Sequence, residues 1–127
     1  MKTLRFIALL VAIATVGLSA AGSLIQRAAT RASAKRNPFA GSESAWLAGT
    51  KLYARECASC HGTNREGGGS APPLKQPDVY EASDGALFWI LRNGSLYRGM
   101  PSFAHLPEAQ RWQIITFLKS RQSHSFR

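Results

Sequence analysis

Cys57 and Cys60 are the only cysteines in a chain of 127 residues, and His61 follows them directly. That spacing constrains the local structure before anything else does. Side chains at i and i+3 on one helical turn share a face, so Cys57-Ala58-Ser59-Cys60 can present both sulfurs to one object, with the imidazole beside them. Four arrangements use cysteines this close: a redox dithiol, half of a zinc site, a small disulfide, and a site of covalent haem attachment. A thioredoxin-like dithiol needs a βαβ context, and no strand-like run precedes Cys57. A structural zinc site needs four ligands; His61 is too close to complete the usual spacing, and His105 and His124 stand in no partner pattern. The adjacent histidine selects the fourth arrangement, C-x-x-C-H, in which two thiols bond to the haem vinyl groups and the imidazole ligates iron.

The residues before the motif read as a route out of the cytoplasm. Lys2 and Arg5 precede an apolar run from Phe6 to Val16, Gly17 breaks it, and Ser19-Ala20-Ala21 supplies small residues for cleavage, so 1–21 has the pattern of a signal peptide. A second reading stays open. Phe6 to Ile25 is twenty residues without a charge, about 30 Å as a helix, long enough to span a bilayer as an uncleaved anchor. Both readings deliver the rest of the chain to the periplasm or another exported compartment, soluble in the first case and membrane-anchored in the second.

Residues 22–40 read as a basic flexible tether. Gln26 to Asn37 is small, polar and basic, without a periodic apolar face, and its cations are suited to anionic lipid head groups. The formal charge of +9 comes from 16 basic and 7 acidic residues. It is spread unevenly: from Gly41 onward there are ten basic and seven acidic side chains. No helix gathers Lys and Arg on one face and no nucleic-acid motif appears, so nucleic-acid binding is set aside.

The folded domain is expected over 41–122, with 123–127 as a tail. Ser42 can cap a helix that places Trp46, Gly49 and Tyr53 on one face and runs into Cys57. Thr63 to Pro77, with Gly67-Gly68-Gly69 and three prolines, reads as a loop. The triple glycine is no phosphate cradle, because no Gly-Lys-Ser/Thr follows it. Ser83 and Asp84 open a second helix that Asn93-Gly94 closes, and Pro107-Glu108 starts a third carrying Trp112, Ile114, Ile115, Phe117 and Leu118. Strand patterns are absent, and the reading is all-α.

Over about Ala45 to Ser120 the chain resembles the class I c-type cytochromes, in their bacterial monohaem form. The resemblance implies a cytochrome c fold of three main helices around one covalently bound haem c, with the first and last helices crossing. In that family a glycine and an aromatic before the haem motif, here Gly49 and Tyr53, pack against residues placed like Ile114 and Phe117. It implies that a proline carbonyl, here that of Pro72 in preference to Pro73, accepts a hydrogen bond from the second nitrogen of His61. It also implies a methionine ligand from Arg98-Gly99-Met100-Pro101. One argument for Met100 is independent of the family: the other methionine is Met1, so a lone mature methionine in a polar Gly/Pro loop makes poor core filler. His105 is the competing ligand.

Cofactor-binding residues are therefore Cys57, Cys60, His61, Pro72 and Met100, with His61 and Met100 on the metal. Phe88, Trp89 and Leu91 are expected in the core or haem wall, and Trp89, Tyr97, Arg92 and Arg98 compete for places near a propionate. With both axial positions filled by protein, the iron carries electrons and does no catalysis, so the expected function is a single-electron carrier and not an enzyme. The alternative is a labile Met100 that opens the iron to peroxide or a gas. Expected partners are redox proteins, a dehydrogenase or an oxidase with an acidic docking face, with membrane association through the N-terminal segment.

Overall fold

A computed structural model describes residues 20–32 and 34–121. Residues 1–19, which hold most of the expected 1–21 signal peptide, residue 33, and 122–127, which include the expected tail and His124, lie outside the described residues. Six helices follow in order: α1 (Ala20–Ala32), α2 (Glu43–Glu56), α3 (Ala58–His61), α4 (Pro77–Glu81), α5 (Asp84–Asn93) and α6 (Glu108–Lys119), with a 3₁₀ turn at Leu96–Arg98. The described residues hold no strand, only isolated bridges at Gly68–Ala71 and Ser95–Met100. The fold is all-α.

The three main helices begin and end where local chemistry directs. Ser42 Oγ accepts the Ala45 amide and Ser83 Oγ accepts the Ala86 amide, each satisfying a donor at a helix start. Gly94 closes α5. α2 and α6 cross at Gly49, where a Cβ would collide with the Gln113 carbonyl and meet Phe117 Cβ at 3.0 Å. The absence of a side chain is what lets the two backbones touch, so even one methyl there would cost about 1–3 kcal/mol as overpacking. Around the crossing, Phe117 meets Tyr53 (ring centroids 5.1 Å apart) and Trp46 (6.0 Å), and Ile114 is wholly buried.

The expectation of a flexible tether over 22–40 does not hold. Ala20–Ala32 is helical, and the stretch after it is pinned to the domain. Leu24, Ile25, Ala28, Ala29 and Ala32 fall at i, i+1, i+4, i+5 and i+8, a narrow apolar face made mostly of alanine. Ala28 is fully buried against Ala86 and Ile90 of α5. Asn37 then acts as a buried clasp: its amide donates to Asp84 Oδ2 (3.0 Å) and its side chain donates to Thr116 Oγ1 (2.9 Å) and the Trp112 carbonyl (3.3 Å). Lys35 sits 4.1 Å from the Phe88 ring centre and pairs with Glu108 at 2.9 Å. Phe88 in turn stacks on Trp112 at 4.2 Å.

Asp84 joins these parts, accepting from Asn37 N and, at 2.8 Å, from Lys119 Nζ. Burial alone would raise its pKa, but the Lys119 hydrogen bond and charge, with the Asn37 amide, outweigh it and leave the carboxyl below its ordinary 3.8. A depressed folded pKa means stability that is present above 3.8 and lost as pH falls through the lower folded value. Urea unfolding should therefore show Asp84→Asn less stable than wild type by about 1–3 kcal/mol at pH 7. The gap should close as pH drops below 4; a gap unchanged down to pH 2 would mean that the carboxylate charge contributes nothing.

Candidate functional site

α2 ends at Cys57, whose φ of −121° breaks the helix before α3 resumes it for one turn. The break turns Cys57 inward, 7% exposed, and leaves Cys60 exposed and His61 half-buried. The His61 amide still donates to the Cys57 carbonyl at 2.9 Å, so the motif keeps its single turn. Burial, with the nearby Glu56 and Cys60, pushes the Cys57 thiol up to about 12.

The loop after the motif is folded back by a chain of bonds. Tyr53 Oη donates to the Gly62 carbonyl at 2.7 Å, and the Gly67 amide donates to the His61 carbonyl at 2.8 Å. Gly67 has φ +86°, and a Cβ there would meet Pro73 N at 2.7 Å and the Ala71 carbonyl oxygen at 2.9 Å. The glycine lets the Ala71–Pro73 backbone lie against the motif. His61 Nδ1 then lies 2.9 Å from the Pro72 carbonyl oxygen. A carbonyl can only accept, so Nδ1 carries the proton and Nε2 keeps its lone pair for a metal.

Met100 arrives from the other loop. Its amide and carbonyl exchange two hydrogen bonds with Ser95, at 3.1 and 2.9 Å, and the Phe103 amide donates to Leu91 at 2.8 Å. Cys57, Cys60, His61, Pro72 and Met100 all line one cavity of about 620 Å³, within the usual range for cofactor sites. Its walls include Leu74, Leu87, Ile90, Leu91 and Phe103. His105 and Arg98 also reach its rim, whereas Phe88, Trp89, Arg92 and Tyr97 do not line it. Trp89 packs beside α1 instead, with the Arg31 guanidinium 5.7 Å from its ring centre. Two thiols, one imidazole with a free nitrogen, one thioether and apolar walls are the donor set and the lining that a covalently held haem fits.

Two residues that hold this site escape sequence reasoning. Arg65, 5% exposed at φ +65°, donates through Nη1 to the Phe117, Leu118 and Ser120 carbonyls, with its guanidinium 4.6 Å from the Phe117 ring centre. Its own carbonyl accepts the Leu74 amide at 2.9 Å, so it ties the Pro72 loop to the end of α6. Arg111 does the same for the second loop, donating to the Phe103, Ala104 and Leu106 carbonyls. Arg65 caps carbonyls 52 to 55 residues away and so leaves no local pattern, whereas Arg111 caps carbonyls five to eight residues before it.

Residues 44–118 match a family model described as cytochrome C oxidase, cbb3-type, subunit III. No curated protein and no solved structure matches the chain.

Gly67→Ala should displace the Pro72 carbonyl from His61 Nδ1. Nitrogen-15 NMR of the His61 ring should then show Nδ1 losing its hydrogen bond, and the fold should weaken by about 1–3 kcal/mol. An unchanged Nδ1 signal in a folded variant would show that the glycine does not place the carbonyl.

Proposed function

This chain belongs to the cbb3-type cytochrome c oxidase subunit III family and carries haem c covalently, and from that premise we propose a single-electron carrier with His61 and Met100 as axial ligands. Cys57 and Cys60 are its attachment points. The observation that carries the reading is the Pro72 carbonyl on His61 Nδ1, with Met100 and both cysteines lining the same cavity. When bound, haem c supplies one reversible electron at iron. The chain's own residues do the rest: Pro72 orients the imidazole and raises its basicity, Met100 occupies the remaining axial place and raises the potential, and the apolar walls exclude water. The alternative, an iron opened to peroxide or a gas, requires Met100 to leave; His105 at the rim is then the nearby acid–base group.

Met100→Ala should abolish the sulfur–iron charge-transfer band of the ferric protein and lower its potential, while His105→Ala changes neither greatly. Loss of haem stain after denaturing electrophoresis should require replacing both cysteines. If the His105 variant loses the band and the Met100 variant keeps it, the ligand assignment is reversed.

The partner we assign is an exported dehydrogenase or oxidase with an acidic docking face, met at the cavity rim. Leu96 (81% exposed) and Tyr97 (fully exposed) form an apolar tip there, beside Arg98. A carrier must release its partner quickly, which suits a small contact steered by charge. The electron-transfer rate with an acidic partner should fall as salt rises, since exposed charges are screened over about 10 Å at 0.1 M. Arg98→Gln should flatten that dependence. A rate indifferent to salt in the wild type would leave the apolar tip as the docking contact.

A further inference from the structure

The described residues lining the cavity all fall within 44–118 except one, Leu24 of α1. α1 is thus an addition to the domain that the family model covers, and it reaches the site. We propose that α1 is a clamp on the Met100 loop, with Leu24 as a positioning residue that keeps the loop closed over the cavity and water out. The proposal rests on the reading of Met100 as the axial ligand.

Three observations support the clamp. First, α1 is fixed at its far end. Gly85 at the start of α5 has no room for a Cβ, because the Ala32 carbonyl fills that space, and the Lys35 carbonyl would lie 3.0 Å away. Ala28 is wholly buried one turn earlier. The helix therefore runs antiparallel to α5, and its Leu24 end arrives where the chain leaves α5 for Met100. Second, Leu24, Ile25 and Met100 pack on the same buried group of Ala28, Ala86 and Ile90. Third, Met100 is only partly buried, between the main core and this group, and the tip of its segment has little packing of its own. Leu96 and Tyr97 point into solvent, and the segment closes on itself through the two Ser95–Met100 hydrogen bonds.

A thioether is a neutral, weak donor, so its occupancy of an axial place depends on how often the loop is closed. Any side chain that touches the closed loop and not the open one shifts that population. Leu24 is so placed. Cleavage after Ala21 and retention of the N-terminal run both leave it in the chain, so the clamp does not depend on which of the two occurs.

The test uses the full-length haem-loaded protein with Leu24→Ser, Leu24→Met and Gly85→Ala. Three quantities are read: the ferric charge-transfer band against pH, the rate at which the reduced protein binds carbon monoxide, and the thermal midpoint. Leu24→Ser should bind carbon monoxide about tenfold faster, the effect of losing the contacts of one half-buried leucine. It should also lose the band about one pH unit lower. Leu24→Met should restore both, and Gly85→Ala should reproduce the Leu24→Ser result from a distance by lifting α1. Wild-type carbon monoxide kinetics and an unchanged band in Leu24→Ser overturn the clamp, even with a lowered thermal midpoint, since α1 would then be structural only. A wild-type protein without the band overturns the ligation reading and the clamp together, whereas a band present and unmoved by the substitutions overturns the clamp alone.

Discussion

What holds the imidazole side of this site in place converges on the close approach of α2 and α6 at Gly49. Because the backbones touch there, Phe117 is delivered between Trp46 and Tyr53, and Tyr53 is directed onto the Gly62 carbonyl. Gly62 is the residue after His61, so the helix crossing sets the position of the motif's last residue through one hydroxyl. The same phenylalanine ring receives Arg65, whose backbone anchors Leu74 and with it the proline segment. The two supports of the imidazole, one on each side in sequence, thus share a single origin. Widening the crossing would loosen both at once.

What could be seen in the sequence was what local chemistry encodes. Ser42 and Ser83 announce helix starts by their own hydroxyls, Gly94 announces an end, and C-x-x-C-H carries its attachment geometry within five residues. The Pro72 carbonyl lies 2.9 Å from His61 Nδ1, and Gly49 stands at the helix crossing as the resemblance implied. α1 escaped because its buried face is mostly alanine, and because Leu24 and Ile25 read as the end of the apolar leader. The clasp at Asn37 was illegible for another reason: its partners Asp84, Trp112 and Thr116 lie 47 to 79 residues away. α4 was hidden by its length, five residues beginning with Pro77, which counted as a loop proline although proline suits a first helical turn.

Correcting the tether alters how the N-terminal part relates to the rest. A flexible linker would let the domain turn freely beneath any attachment. A helix docked along α5, followed by a clasp between α5 and α6, makes the described residues of 20–41 part of the same body as the domain. Leu24 and Ile25 pack on the domain and so are withdrawn from any bilayer.

The two buried arginines have an electrical consequence. Arg65 and Arg111 have no carboxylate within ion-pair distance among the described residues; their charges are met by carbonyl dipoles and by the faces of Phe117 and Phe88. Dipoles and rings solvate a cation without cancelling it, so the net positive charge of both persists inside the domain, where screening is weaker than in water. An oxidised iron carries one positive charge more than a reduced one. The interior field of these guanidiniums therefore opposes oxidation, and the residues that cap the helix and pin the loops also bias the centre toward holding its electron.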